Sequence, residues 1–141
     1  MRYLADVNVW LNAVSAVQPG HAASAAWFES VGEGEVKFCR VTMLGMLRLL
    51  TNTHAMRGHP VDARKSWDLY RLLRDDSRVG FLEEPETMEA EMERLLPAKI
   101  LNGADWTDHY LTAFALASAC TLVTFDQGFR RFPKLKLLLL G

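Results

Sequence analysis

Cysteine is scarce: the 141 residues hold two, Cys39 and Cys120, both in apolar runs and far apart in sequence. That count speaks against a disulfide framework and suits a reducing cytoplasm. Long hydrophobic runs are missing as well. The longest largely apolar tract, Leu111 to Phe125, falls short of the ~20 residues a membrane span needs. Thr112, Ser118, Thr121 and Thr124 dilute it further. At the N-terminus, Asp6 and Asn8 interrupt any apolar stretch of the roughly 7–15 residues that a secretory signal requires. Net charge is almost absent: 16 Lys+Arg against 17 Asp+Glu leave −1. Total charge therefore neither demands nor excludes a nucleic-acid partner, and any electropositive surface must be local. Internal repeats and low-complexity linkers are lacking too, so residues 1–141 read as one domain. What is there is half apolar and 23% charged, a globular composition that excludes a disordered chain. The expectation is a soluble cytoplasmic domain without a membrane partner.

Patterning supplies the elements. Arg2–Ala5 is a short apolar run ending in Asp6 and reads as a buried strand, with Asn8 capping a short helix, Val9–Val14. Pro19-Gly20 marks a turn. His21–Val31 has helical spacing, and Val36–Cys39 is a second strand. Thr42 is placed to cap a helix, Met43–Thr51, with Leu44, Leu47 and Leu50 as its core face. Pro60 suits the first turn of a helix running to about Arg74, with Trp67, Tyr70 and Leu72 or Leu73 at 3–4 spacing. Val79–Leu82, Thr121–Thr124 and Leu135–Leu140 read as strands. Glu86–Leu96 and a longer segment from Asp105 or Thr107 to Ala119 read as helices, and Gln127–Arg130 as one short turn of helix. The strands are continuous apolar runs that alternate with helices. That combination predicts an α/β fold, a three-layer α/β/α sandwich around a short, mostly parallel sheet. Chemistry in such folds sits at the C-terminal strand edge, where strand order reverses.

Three acidic residues share that logic. Asp6 ends the first strand, Asp126 follows the fourth, and Asp108 lies in the first turn of the helix before it. They face one sheet edge if the first and fourth strands are neighbours. Converging carboxylates repel one another and need a cation. Hard oxygen donors around an open position suit Mg²⁺ or Mn²⁺, and such an ion can activate water and neutralise a phosphodiester. Each aspartate alone has an ordinary structural explanation as a helix-start, turn or strand-end residue.

The order of motifs adds to this. Leu4-Ala5-Asp6-Val7-Asn8-Val9-Trp10-Leu11 resembles the first motif of PIN-domain ribonucleases. The segments Thr107-Asp108-His109-Tyr110-Leu111-Thr112-Ala113-Phe114-Ala115 and Leu122-Val123-Thr124-Phe125-Asp126-Gln127-Gly128-Phe129 resemble their third and final acidic motifs. Arg40 to Asn52 is similar to the corresponding helix of VapC-type toxins. The resemblance implies a PIN-like fold and a Mg²⁺- or Mn²⁺-dependent endoribonuclease. It implies a homodimer silenced by a VapB-type antitoxin. Asp6 and Asp108 would be the main metal ligands and catalytic residues. Asp126 would support a second metal or hold water, Asn8 would orient Asp6, and Thr124 would help through its hydroxyl. The implied chemistry is in-line attack of an activated water on RNA, leaving 5′-phosphate and 3′-hydroxyl ends. One position departs from the pattern. Most of the family carries Glu in the helix after the second strand, where Gly45 stands here, and no Asp or Glu occurs between Glu35 and Asp62. That loss of charge predicts weaker metal binding. It also keeps open an alternative, a catalytically weak protein that binds RNA or antitoxin.

Basic residues cluster. Seven lie between Arg40 and Arg74 against two acids, and Arg130, Arg131, Lys134 and Lys136 follow Asp126. Most suit ordinary solvated faces. Arg48 and Arg130 are the expected phosphate contacts, because their segments flank the acidic site. The acidic block Glu83 to Glu93 keeps RNA off its own face or solvates a helix. His109, beside Asp108, reads as a surface residue or a substrate contact, and no histidine has zinc spacing with either cysteine. Trp10, Trp27, Phe28, Trp67, Tyr70 and Trp106 read as core or as a groove for a partner helix. A haloacid-dehalogenase pattern needs a second Asp where Asn8 stands. A receiver domain needs an acidic pair after the first strand and a Lys after the last. The chain has neither arrangement.

Overall fold

The computed structural model describes residues 1–99, 103 and 105–141. Five strands build one sheet: β1 (Tyr3–Ala5), β2 (Val36–Phe38), β3 (Val79–Phe81), β4 (Thr121–Thr124) and β5 (Leu137–Leu139). Their order is β3-β2-β1-β4-β5, and all four pairings are parallel. Helices α1 (Val7–Val14), α2 (His21–Ser30), α3 (Arg40–Leu50) and α4 (Ala63–Asp75) carry the chain from β1 out to β3. Helices α5 (Met88–Arg94) and α6 (Asp105–Ala117) bring it back to β4 on the far side of β1. Right-handed crossovers in opposite directions place the two sets on opposite faces. The two apolar clusters follow. Ala5, Val36, Phe38, Val79 and Val123 face α1, α3 and α4, whereas Leu4 and Leu122 face α5 and α6. The predicted three-layer sandwich is what forms.

Local packing fixes each element. Trp10 of α1 stacks on Phe38 of β2, with ring centroids 3.8 Å apart and planes at 7°. Both are fully buried, so the pair clamps the first helix to the middle of the sheet. Several boundaries differ from the sequence expectation. Asp6, not Asn8, caps α1, and its side chain accepts from Val7 N. Cys39 occupies the cap position of α3. Thr42 sits one turn inside, where its hydroxyl accepts from Cys39 N at 3.0 Å. The buried stripe of α3 is Met43, Met46 and Leu50, and Leu44 is 56% exposed. Both stripes have helical spacing, and the crossing against α1 selects one. Helix α4 begins three residues after Pro60, with Asp62 accepting from Lys65 N at 2.8 Å. Its buried residues are Ser66 and Tyr70, which leaves Trp67 and Leu72 toward solvent. Both cysteines are buried free thiols. Among the described residues, no helix is long and apolar enough to cross a membrane.

Candidate active site

Strand order reverses between β1 and β4, and the C-terminal ends of those strands carry Asp6 and Asp126. A crevice at this reversal is where open parallel sheets bind ligands. The last ladder step is made by Asp6 itself, whose N–H donates to Val123 O at 2.9 Å. Asp6 is therefore held by β4 before its side chain does anything.

Thr124 is the hub beneath the site. It is fully buried. Its hydroxyl donates to Asp6 Oδ2 at 2.7 Å and accepts from Asp126 N at 3.0 Å and Asn8 Nδ2 at 3.3 Å. One donor and two lone pairs are all used. Asn8 adds a second strap, with its Oδ1 accepting from Phe125 N at 3.3 Å. Asn8 and Thr124 thus tie the start of α1 to the end of β4 and hold Asp6 between them. Both oxygens of Asp6 accept bonds, the second from Val7 N at 2.7 Å.

Asp6 is only 9% exposed, and burial pushes its carboxyl above the usual range. Hydrogen bonds from Thr124 and Val7 pull it partly back, and the charges of Asp108 and Asp126 push it up again. Asp108 lies in the first turn of α6 and is also raised, by burial first. A guanidinium acts against that: Arg131 Nη2 stands 3.2 Å from Asp108 Oδ2 and 3.6 Å from Asp105 Oδ1. Asp126 is exposed, and its Oδ1 accepts from Gly128 N at 2.7 Å.

The three carboxylates therefore feel one another across a single edge. Among the described residues, no three His, Cys, Asp or Glu side chains are drawn close enough to form a ready-made metal cluster. The donor chemistry nonetheless fits a hard divalent cation. Asp6 is a buried carboxylate facing two like charges, and no basic side chain among the described residues pairs with it.

The surroundings sort the remaining expectations. Arg48 is exposed and lines a cavity of about 240 Å³ with Leu44, Gly45 and the chain neighbours of Asp6 and Asp108, Val7 and Thr107. Arg130 is exposed at the end of the short 3₁₀ turn Gln127–Arg131. The cation that reaches the acids is its neighbour Arg131, which the sequence did not distinguish. His109 is 1% exposed rather than a surface residue. Its Nε2 lies 2.7 Å from Met92 O. A carbonyl can only accept, so Nε2 carries the proton and the ring ties α6 to α5. Gly45 is a close approach. A Cβ there would meet Val7 Cγ2 at 2.5 Å, so α3 and the start of α1 touch where a longer side chain would begin.

With the geometry in place, likeness to known proteins decides the family. The PIN domain profile matches residues 3–135. Ribonuclease VapC41 of Mycobacterium tuberculosis is 34% identical over 143 aligned positions, which cover 98% of both chains. The chain belongs to the PIN-domain family. Solved structures agree on the PIN fold. VapBC2 of Rickettsia felis, bound to a DNA fragment from its promoter, superposes with a TM-score of 0.71 at 13% identity over all of both chains. VapC20 of Mycobacterium tuberculosis, a toxin that cleaves the sarcin-ricin loop, gives 0.67 at 11% identity over 99% of each. FitAcB of Neisseria gonorrhoeae gives 0.66 at 19% identity over 96% of each. The order β3-β2-β1-β4-β5 is thus a PIN sheet, and in this chain aspartates follow β1 and β4.

Proposed function

We propose that this PIN domain, residues 1–141 acting as one unit, is a Mg²⁺- or Mn²⁺-dependent endoribonuclease toxin of the cytoplasm. A VapB-like antitoxin neutralises it. The observation that carries this reading is Asp6, a buried carboxylate at the strand-order reversal with Asp108 and Asp126 across the same edge and, among the described residues, no basic partner. Support for RNA as substrate comes from the family and from the ribonuclease that is 34% identical over 98% of the chain. Support for an antitoxin comes from the VapBC assembly among the structural neighbours.

Asp6 and Asp108 would hold the ion, with Asp126 in support. When bound, the ion would activate water and offset charge on the phosphodiester. The chain's own groups do the rest. Thr124 and Asn8 hold Asp6 in one rotamer, a preorganisation set by bonds that do not change during reaction. Arg48 and Arg130 stand in solvent on elements flanking the edge, where an RNA strand crossing it would meet them. The groove beside Gly45 gives the strand a shallow seat.

Gly45 favours a second reading, a protein that binds RNA or antitoxin and cleaves poorly. The two separate in one assay: RNA incubated with the purified chain, with Mg²⁺, with Mn²⁺ and with excess chelator. The toxin reading expects new 5′-phosphate ends only with metal. Binding without cleavage at any metal concentration supports the second reading.

A further inference from the structure

Arg131 is held by contacts that owe nothing to Asp108. Its Nη1 donates to Gly128 O at 2.6 Å, and its guanidinium carbon lies 4.6 Å over the Phe132 ring. Gly128 N in turn donates to Asp126 Oδ1, so one short 3₁₀ turn fastens both an acid and a base of this edge. A Cβ on Gly128 would come within 2.9 Å of Asp126 Oδ1 and 3.1 Å of Arg131 Nη1, and glycine leaves that space to the two side chains. Nη2 faces the acids, at 3.2 Å from Asp108 and 3.6 Å from Asp105. A guanidinium keeps its charge across the working pH range, so Arg131 stays a fixed cation beside Asp108.

We infer that Arg131 is a built-in counter-cation that occupies Asp108 and competes with the divalent ion for it. The inference rests on the reading of Asp6 and Asp108 as metal ligands. It accounts for an otherwise awkward pair of observations. The carboxylates face one edge, yet among the described residues no three acids close into a ligand group, and one of them is bonded to Arg131. When Asp108 leaves, Gly128 O and the Phe132 face keep the guanidinium beside the site, within reach of a phosphate oxygen. Arg131 is thereby a positioning residue that sets how tightly the ion binds.

The pair is partly exposed, with side-chain exposures of 40% for Arg131 and 25% for Asp108, so its competing strength is modest. Exposed pairs of this kind correspond to an affinity factor of up to about five. The test is calorimetric titration of Mn²⁺ into metal-free wild type, Arg131→Met, Arg131→Lys and Asp108→Asn, each checked by thermal melting. Arg131→Met, which keeps an unbranched stem over Phe132, is expected to bind Mn²⁺ tighter, by up to about fivefold. Arg131→Lys keeps the charge without the fork and is expected to fall between it and wild type. It decides the matter if Arg131→Met fails to fold: tighter than wild type supports the competition, and equal or weaker overturns it. Unchanged or weaker Mn²⁺ binding by folded Arg131→Met overturns the inference too. Asp108→Asn separates the two layers. If it loses Mn²⁺ binding while Arg131→Met gains nothing, only the role of Arg131 fails. If it binds Mn²⁺ like wild type, the assignment of the metal site itself fails.

Discussion

Asp6 carries three duties at once, and they oppose one another in energy. It caps α1, it accepts the hydroxyl of a buried Thr124, and it holds a charge that burial disfavours. Removing it therefore does not simply relieve repulsion, as sequence spacing alone suggests. Asp6→Ala loses a cap worth about 1 kcal/mol and leaves the Thr124 hydroxyl without its acceptor. The balance depends on pH, and its sign follows from the raised carboxyl. Folding favours the protonated form, so this contribution is fully stabilising below 3.8 and is lost as pH rises through the higher folded value. Metal-free Asp6→Ala is thus expected to be less stable than wild type by about 1–2 kcal/mol at low pH, with the gap narrowing toward neutrality. Denaturant melts in chelator across that range check it, and a gap that widens with pH contradicts it. Thr124→Val tests the hub. It keeps the shape but strands Asp126 N and Asp6 Oδ2, so stability should fall by about 1–3 kcal/mol and cleavage should fall with it. Wild-type melting and cleavage would remove Thr124 from the site. Aspartates at strand ends and at a helix start were legible in the sequence because their positions are set by local pattern. Arg131 was not. It differs from Arg130 by one step of a 3₁₀ turn, and only the tertiary position of that turn decides which guanidinium meets Asp108.

The same division runs through the elements. Strands β1 and β4 were readable because a strand buried on both faces is a continuous apolar run with little else it can be, and β2, β3 and β5 were readable as short apolar stretches although Lys37 and Gly80 interrupt two of them. Caps and helix faces were harder. Met43-Met46-Leu50 and Leu44-Leu47-Leu50 have equal claims by periodicity, and the choice is made by what α3 leans on. Gly45 shows the consequence. The sequence suggests that restoring a carboxylate by Gly45→Glu would tighten divalent binding, given room. The helix contact denies that room, since the new Cβ would lie 2.5 Å from Val7 Cγ2 on a stiff, β-branched side chain. Better helix propensity, about 1 kcal/mol, works in favour of the substitution, and overpacking of about 1–3 kcal/mol works against it. Gly45→Glu is therefore expected to lower the melting temperature, and Val7→Ala with Gly45→Glu to recover much of the loss. A single variant as stable as wild type would show that α1 and α3 do not meet there.

At the scale of the whole molecule, the sandwich buries most of its large apolar residues but not all. Leu44, Trp67 and Trp106 remain 56%, 39% and 48% exposed on α3, α4 and α6. Of these, Trp67 lines an open groove with Leu47 and Arg48 of α3, a surface a second copy could cover. A homodimer is the expected state of the isolated chain, and Trp67→Ser is expected to lower the dimer fraction. Light scattering reads both, and a strictly monomeric wild type at high concentration contradicts the assembly. The acidic edge is the part of the molecule on which everything else depends, and Asp108 is its cleanest handle. Asp108 projects from a helix turn, its side chain pairs with Arg131, and Asn fills the same volume without the charge. The most direct measurement is Mg²⁺-dependent RNA cleavage by folded Asp108→Asn beside wild type. Cleavage should fall by about two orders of magnitude or more while the melting curve stays near that of wild type. Cleavage at the wild-type rate by a folded Asp108→Asn would contradict a metal-dependent nuclease built on this edge.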